Sequence, residues 1–93
     1  MTTRAVRVTN PLGLHARAAA RFVRLAGRFS AHIKVDRGGR TIDGKSIMGL
    51  LLLAAGRGSE IRISADGPDE EEAIAALVDL VQRGFDDEVT CPS

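Results

Sequence analysis

The chain has 93 residues, 44% hydrophobic and 27% charged, with a net charge of +1, which fits one small globular domain spanning residues 1–93 and excludes a disordered or disulfide-rich chain. Its longest apolar stretch, Leu50 to Ala55, is far shorter than the ~20 residues that cross a bilayer, so no membrane insertion is expected. The first residues, Met1-Thr2-Thr3-Arg4, form no apolar signal segment, and the lone cysteine, Cys91, allows no internal disulfide, so the expected location is the reducing cytoplasm.

Arg4 to Val8 alternates as a strand with Val6 and Val8 on one face. Asn10-Pro11-Leu12-Gly13 breaks it, and Ala16 to Gly27 then follows helical spacing. Ala19, Phe22, Val23 and Ala26 make its apolar stripe, while Arg17, Arg21, Arg24 and Arg28 make a basic one. His32 to Arg37 and Arg40 to Asp43 read as a hairpin closed by Gly38-Gly39, because glycine tolerates the positive φ of primed turns. Ser46 is placed to cap a second helix from Ile47 to about Ala55, with Gly56 as its stop. Glu60 to Ala65 alternates as a fourth strand. Asp69 with Glu72 resembles a capping box for a last helix that runs to about Arg83, with Gly84 closing it and a frayed tail after Phe85.

The order is βαββαβα. Alternating strands imply a sheet with one solvated face, hence an antiparallel α+β architecture with the helices on the other face. Charge is split along the chain: residues 1–45 hold ten Lys/Arg and two Asp/Glu, a net of +8, and residues 46–93 hold three and ten, a net of −7. The basic half is the half that would meet an anionic ligand or an acidic partner.

The strongest local signal is Gly13-Leu14-His15-Ala16-Arg17. It puts an imidazole where a helix begins, with a guanidinium two residues on. Helix N-termini have free N–H groups and about half a positive charge, so they hold anions. A lone histidine is most often structural. Here the preceding glycine, the helix start and the arginines make it a nucleophile facing a phosphate cradle, in which Arg17 and the amides near Ala16 supply the donors.

These residues resemble the active-site motif of the histidine-containing phosphocarrier (HPr) family of the bacterial phosphoenolpyruvate-dependent sugar phosphotransferase system, and Gly44-Lys45-Ser46-Ile47-Met48-Gly49 resembles its regulatory serine segment. The resemblance implies an open-faced two-layer sandwich, a four-stranded antiparallel sheet of order 1-4-2-3 with three helices on one face. It implies that His15 takes a phosphoryl group at Nδ1 from enzyme I and passes it to a histidine of an enzyme IIA domain, with Arg17 pairing to the group. The protein would then be a carrier forming a phosphohistidine, without cofactor or metal, rather than an independent turnover enzyme. Ile47, Met48 and Leu51 match the family's apolar docking patch beside the site, and Arg21 and Arg24 are expected to attract an acidic partner, on a chain expected to be monomeric. In some members the serine equivalent to Ser46 is phosphorylated by an HPr kinase/phosphorylase. The family usually has proline after the arginine, where this chain has Ala18. The recipient stays open, because a regulatory relative without sugar flux would keep the same chemistry.

Two other readings are weaker. Gly39 to Ser46 fits the pattern G-x-x-x-x-G-K-[ST], but Arg40 to Asp43 reads as a return strand rather than a loop around phosphates. RNA-binding sheets of this size stack bases on exposed aromatics, and this chain has no Tyr or Trp and only three Phe, so no nucleic-acid partner is expected.

Overall fold

The computed structural model describes residues 1–86, and Cys91 and most of the expected frayed tail lie outside them. The strands are β1 (Thr2–Arg7), β2 (His32–Arg37), β3 (Arg40–Asp43) and β4 (Glu60–Asp66), and the helices are α1 (Ala16–Ala26), α2 (Ile47–Leu53) and α3 (Glu70–Gln82). A 3-10 turn, Gly84–Asp86, follows α3. The strands form one antiparallel sheet of order β1-β4-β2-β3, which meets the expected architecture.

Alternation sets the two faces. Ile61, Ile63 and Ala65 of β4 line up with Val6 of β1 and with Ile33 and Val35 of β2, all buried under the helices. The residues between them face solvent, where the Thr3 and Ser64 hydroxyls lie 3.1 Å apart and Thr41 donates to Asp36 at 3.0 Å. The helices close the core with Ala18, Ala19, Phe22 and Ala26 of α1, Leu50 and Leu53 of α2, and Ile74, Leu77 and Val81 of α3. Both glycines of the β2–β3 turn have positive φ, 59° and 89°, as a two-residue primed turn requires.

Two local expectations are corrected. α2 ends at Leu53, not near Ala55, and its cap is Ala54 in the left-handed region (φ 51°) rather than Gly56. The reason is tertiary: Ala55 is buried and its carbonyl accepts the Leu14 N–H at 2.9 Å, so the chain must leave the helix early. Its last carbonyls are met from outside, since Arg37 donates to Leu53 O and Arg40 to Leu52 O, both at 3.0 Å.

Asp69 makes no capping bond on α3. Its carboxylate accepts the N–H groups of Ser30 and Ala31 at 2.8 and 2.9 Å, tying the start of α3 to the loop before β2. Those N–H donors, Ser30 foremost, hold its pKa below the ordinary value of 3.8. Glu70 does the reaching back instead. It accepts from the Thr2 hydroxyl at 2.7 Å and from Gly67 N–H at 3.1 Å, and with the chain's amino group 3.2 Å away its pKa is lowered from 4.5 to about 2.

Phe85, the last residue before the expected tail, is firmly held. That ring is fully buried among the core residues, and Gly84, Phe85 and Asp86 turn back in the left-handed region. A buried Phe represents 150–250 Å² of surface, enough to anchor a turn that propensity alone would leave loose.

Candidate functional site at the start of the first helix

His15 is the N-cap of α1, in extended conformation (φ −84°, ψ −179°). The first α-helical bond of this helix runs from Ala19 N–H to His15 O at 2.8 Å, so the amides of residues 16 to 18 have no carbonyl in the helix. One of them, Arg17 N–H, is aimed at His15 Nδ1 at 3.3 Å. Nδ1 accepts in this arrangement, so its lone pair points along the first turn. At 3.3 Å the bond is long for N–H···N and is easily given up to a better acceptor. No acidic residue occupies the first turn.

Arg17 is exposed, with no ion-pair partner among the described residues. Ala16 is exposed and Ala18 is buried beside them. The loop that delivers His15 fits closely against the residues that follow α2. Gly13 has φ +66°, and a Cβ there would lie 2.6 Å from Ala55 O, so glycine is required on both counts.

The other expected site residues separate into two groups. Arg24 is exposed on α1, as are Ile47, Met48 and Leu51 on α2, at 41%, 69% and 36%. Arg21 departs from expectation. It is half-buried, and its guanidinium donates to Phe85 O at 2.7 Å and to Asp86 O, so it holds the C-terminal turn rather than presenting a free charge. Sequence reasoning missed two further exposed apolar side chains, Leu12 at 58% and Leu52 at 60%. Leu52 was hidden in an unbroken leucine run, where periodicity carries no facing information.

Ser46 caps α2 as read, its Oγ accepting Gly49 N–H at 3.1 Å. The GRTIDGKS stretch is not a phosphate loop. Arg40 to Asp43 pairs with β2, Lys45 Nζ donates to Phe29 O at 2.8 Å, and the serine hydroxyl is used by the cap.

Comparison with known proteins agrees with this geometry. The family model PTS-HPr, described as the PTS HPr component phosphorylation site, matches residues 2–83. The chain is similar to the phosphocarrier protein HPr of Cupriavidus necator, 49% identical over 85 residues, which is 91% of this chain and 96% of that protein. It superposes on HPr-C-His from Thermoanaerobacter tengcongensis with a TM-score of 0.90 at 44% identity, covering 95% of this chain and 99% of the other. An HPr dimer from the same organism superposes with a TM-score of 0.73 at 45% identity, over 91% and 98% of the two chains. A histidine at the mouth of an anion-seeking helix, on this sheet order and with relatives this near, places the chain in one family: it belongs to the HPr phosphocarriers of the phosphotransferase system.

Proposed function

We propose that His15 is the phosphoryl acceptor of this carrier, charged by enzyme I and discharged to a histidine of an enzyme IIA domain. One observation carries the reading: the Nδ1 lone pair lies along the first turn of α1, at an N-cap with no acidic neighbour in that turn and with an exposed guanidinium two residues on. Nδ1 attacks phosphorus, the bond from phosphorus to the donor group of enzyme I breaks, and its electron pair stays on the donor. Arg17 N–H, which held the lone pair, then lies beside the phosphoryl oxygens, with Ala16 N–H and the Arg17 guanidinium adding further donors. Discharge reverses these steps onto the recipient. A surface site of this kind suits a carrier, which must offer the same atom to two partners in turn.

The reading is tested by incubating the chain with phosphoenolpyruvate and a cognate enzyme I. An acid-labile, alkali-stable adduct is expected on the wild-type chain and none on His15→Ala. An adduct that persists on His15→Ala would sink the assignment.

Ile47, Met48 and Leu51 on α2, together with the exposed Arg24 on α1, are the proposed docking residues, and the carrier works as a cytoplasmic monomer. Ser46 is the proposed regulatory position. A phosphate at a helix N-terminus is locally favourable, but it would put about two negative charges beside an apolar patch that receives a partner. Ser46→Asp should therefore keep the fold and weaken the enzyme I contact at low salt. Unchanged affinity would count against regulation here.

A further inference from the structure

We propose that Asn10 is a positioning residue for phosphoryl transfer, one that sets the backbone carrying His15; the proposal rests on His15 being the acceptor. Asn10 is the one buried polar side chain among the described residues, at 4% exposure. A buried amide is unfavourable unless its polar atoms are used. Its Nδ2 donates to Gly13 O at 2.8 Å, while Gly13 N–H donates to Asn10 O at 3.1 Å. Residue 10 thus holds both polar groups of residue 13.

The Gly13 carbonyl also accepts the His15 N–H at 3.0 Å, closing a three-residue turn around Leu14. From the other side, Ala55 O crowds the Cα of Gly13 and accepts Leu14 N–H at 2.9 Å. The Gly13 peptide is therefore clamped between Asn10 and Ala55, and His15 hangs from its carbonyl. The C-terminal turn comes close to Asn10. A Cβ on Gly84 would lie 3.4 Å from Asn10 Cβ, and Arg21 fixes the carbonyls of the two residues after Gly84. In a dry setting the Asn10–Gly13 bond has no water to replace it. Without it the Gly13 carbonyl can swing, and the ring loses its aim along the first turn.

Asn10→Asp keeps the shape and removes the donor, and Asn10→Ala removes both. Ile74→Ala, a truncation in the core of α3, serves as a control for lost stability. Each chain is assayed for phosphoryl uptake from enzyme I under steady-state conditions. Both Asn10 variants should lose on the order of tenfold or more in kcat, with KM within about twofold, because small misalignments of a reacting group are costly. His15 amide exchange should rise, and the ¹⁵N signals of the His15 ring should report the lost Arg17 N–H contact. Ile74→Ala should melt at lower temperature and keep its kcat. A folded Asn10→Asp with wild-type kcat and unchanged His15 amide exchange would overturn the proposal. So would Ile74→Ala slowing transfer as much at an equal loss of Tm. The wild-type chain supplies a readout that needs no variant: its His15 amide should be protected, and exchange as fast as in an unstructured peptide would also overturn the proposal. Failure of the wild-type chain to take up the group would instead sink the acceptor reading.

Discussion

The N-termini of α3 and α1 carry the same kind of unsatisfied amides and the same partial positive charge, and they are finished in opposite ways. The first turn of α3 holds Glu70, Glu71 and Glu72, with Asp69 just before them. Glu70 is bound to Thr2, Gly67 and the chain's own amino group, and Asp69 to the amides of Ser30 and Ala31, so this end is spent on holding the domain together. The first turn of α1 has no acid, and arginine stands at its second position. An end lined with carboxylates already has negative charge against its dipole, whereas an end without them attracts an anion from outside. The split of charge along the chain is the coarse trace of this difference.

The contrast breaks most visibly at Arg17. Arg17→Ala should slow phosphoryl uptake on the order of a hundredfold, the scale of losing a donor aimed at transferring charge. Its stability should move by no more than about 0.5 kcal/mol, as for an exposed side chain without partners. Arg17→Glu, which gives α1 the acidic first turn of α3, should slow uptake at least as far without lowering stability. Rate assays beside thermal melts check both, and intact transfer with a large loss of Tm would reverse the roles of the two ends.

At α3 the expectation is the converse. The Glu70 pKa is lowered from 4.5 to about 2, so its contribution is fully present above pH 4.5 and fades as pH falls toward 2. Asp69, also lowered, adds to the same acid-side loss. Glu70→Gln and Asp69→Asn should each lower Tm at neutral pH and flatten its decline between those pH values, with phosphoryl uptake at neutral pH unchanged. A Tm profile in acid that parallels the wild type would show that these carboxylates are not what the low-pH range titrates.

The smallest effect is expected at Ala18, the third residue of α1. Its N–H has no carbonyl in the helix, so proline there would remove no helical hydrogen bond. Ala18→Pro should raise stability by about 0.4–1 kcal/mol through the unfolded chain, with transfer intact. Ala18 is 1% exposed, so a destabilised variant would mean that the ring finds no room in the core, and that the open end of α1 is packed more tightly than its amides alone require.

Periodicity carried most of the fold. The apolar stripe of α1, the alternation of β4 and the Gly38-Gly39 turn are local patterns, and the structure follows them. His15 and Arg17 were legible for the same reason, since an N-cap and its first turn lie within three residues of sequence. What escaped was decided at a distance. Asp69 had the spacing of a capping box, but amides 38 and 39 residues away claim its carboxylate. Phe85 lay beyond the apolar stripe of the last helix and is core, because burial of a large ring outweighs its local backbone cost. Arg21 lay on the basic stripe with Arg24, and only the fold of the C-terminal turn separates an inward guanidinium from an outward one. Asn10 gave no signal beyond turn propensity, since nothing in the chain order shows that its amide will be enclosed.

The latching of α2 has a consequence for association. A seven-residue helix has little tendency to persist alone. Here Ser46 ties down its first turn, and Arg37 and Arg40 tie down its last carbonyls. Ile47, Met48, Leu51 and Leu52 therefore project from a backbone that is already ordered before any encounter. Association with such a surface loses side-chain rotamer freedom but little main-chain freedom, so a small apolar contact can suffice. If this surface is where partners dock, the arginines of the β2–β3 hairpin help to keep such complexes weak, quickly reversed and free of rearrangement, as a shuttle between two proteins requires.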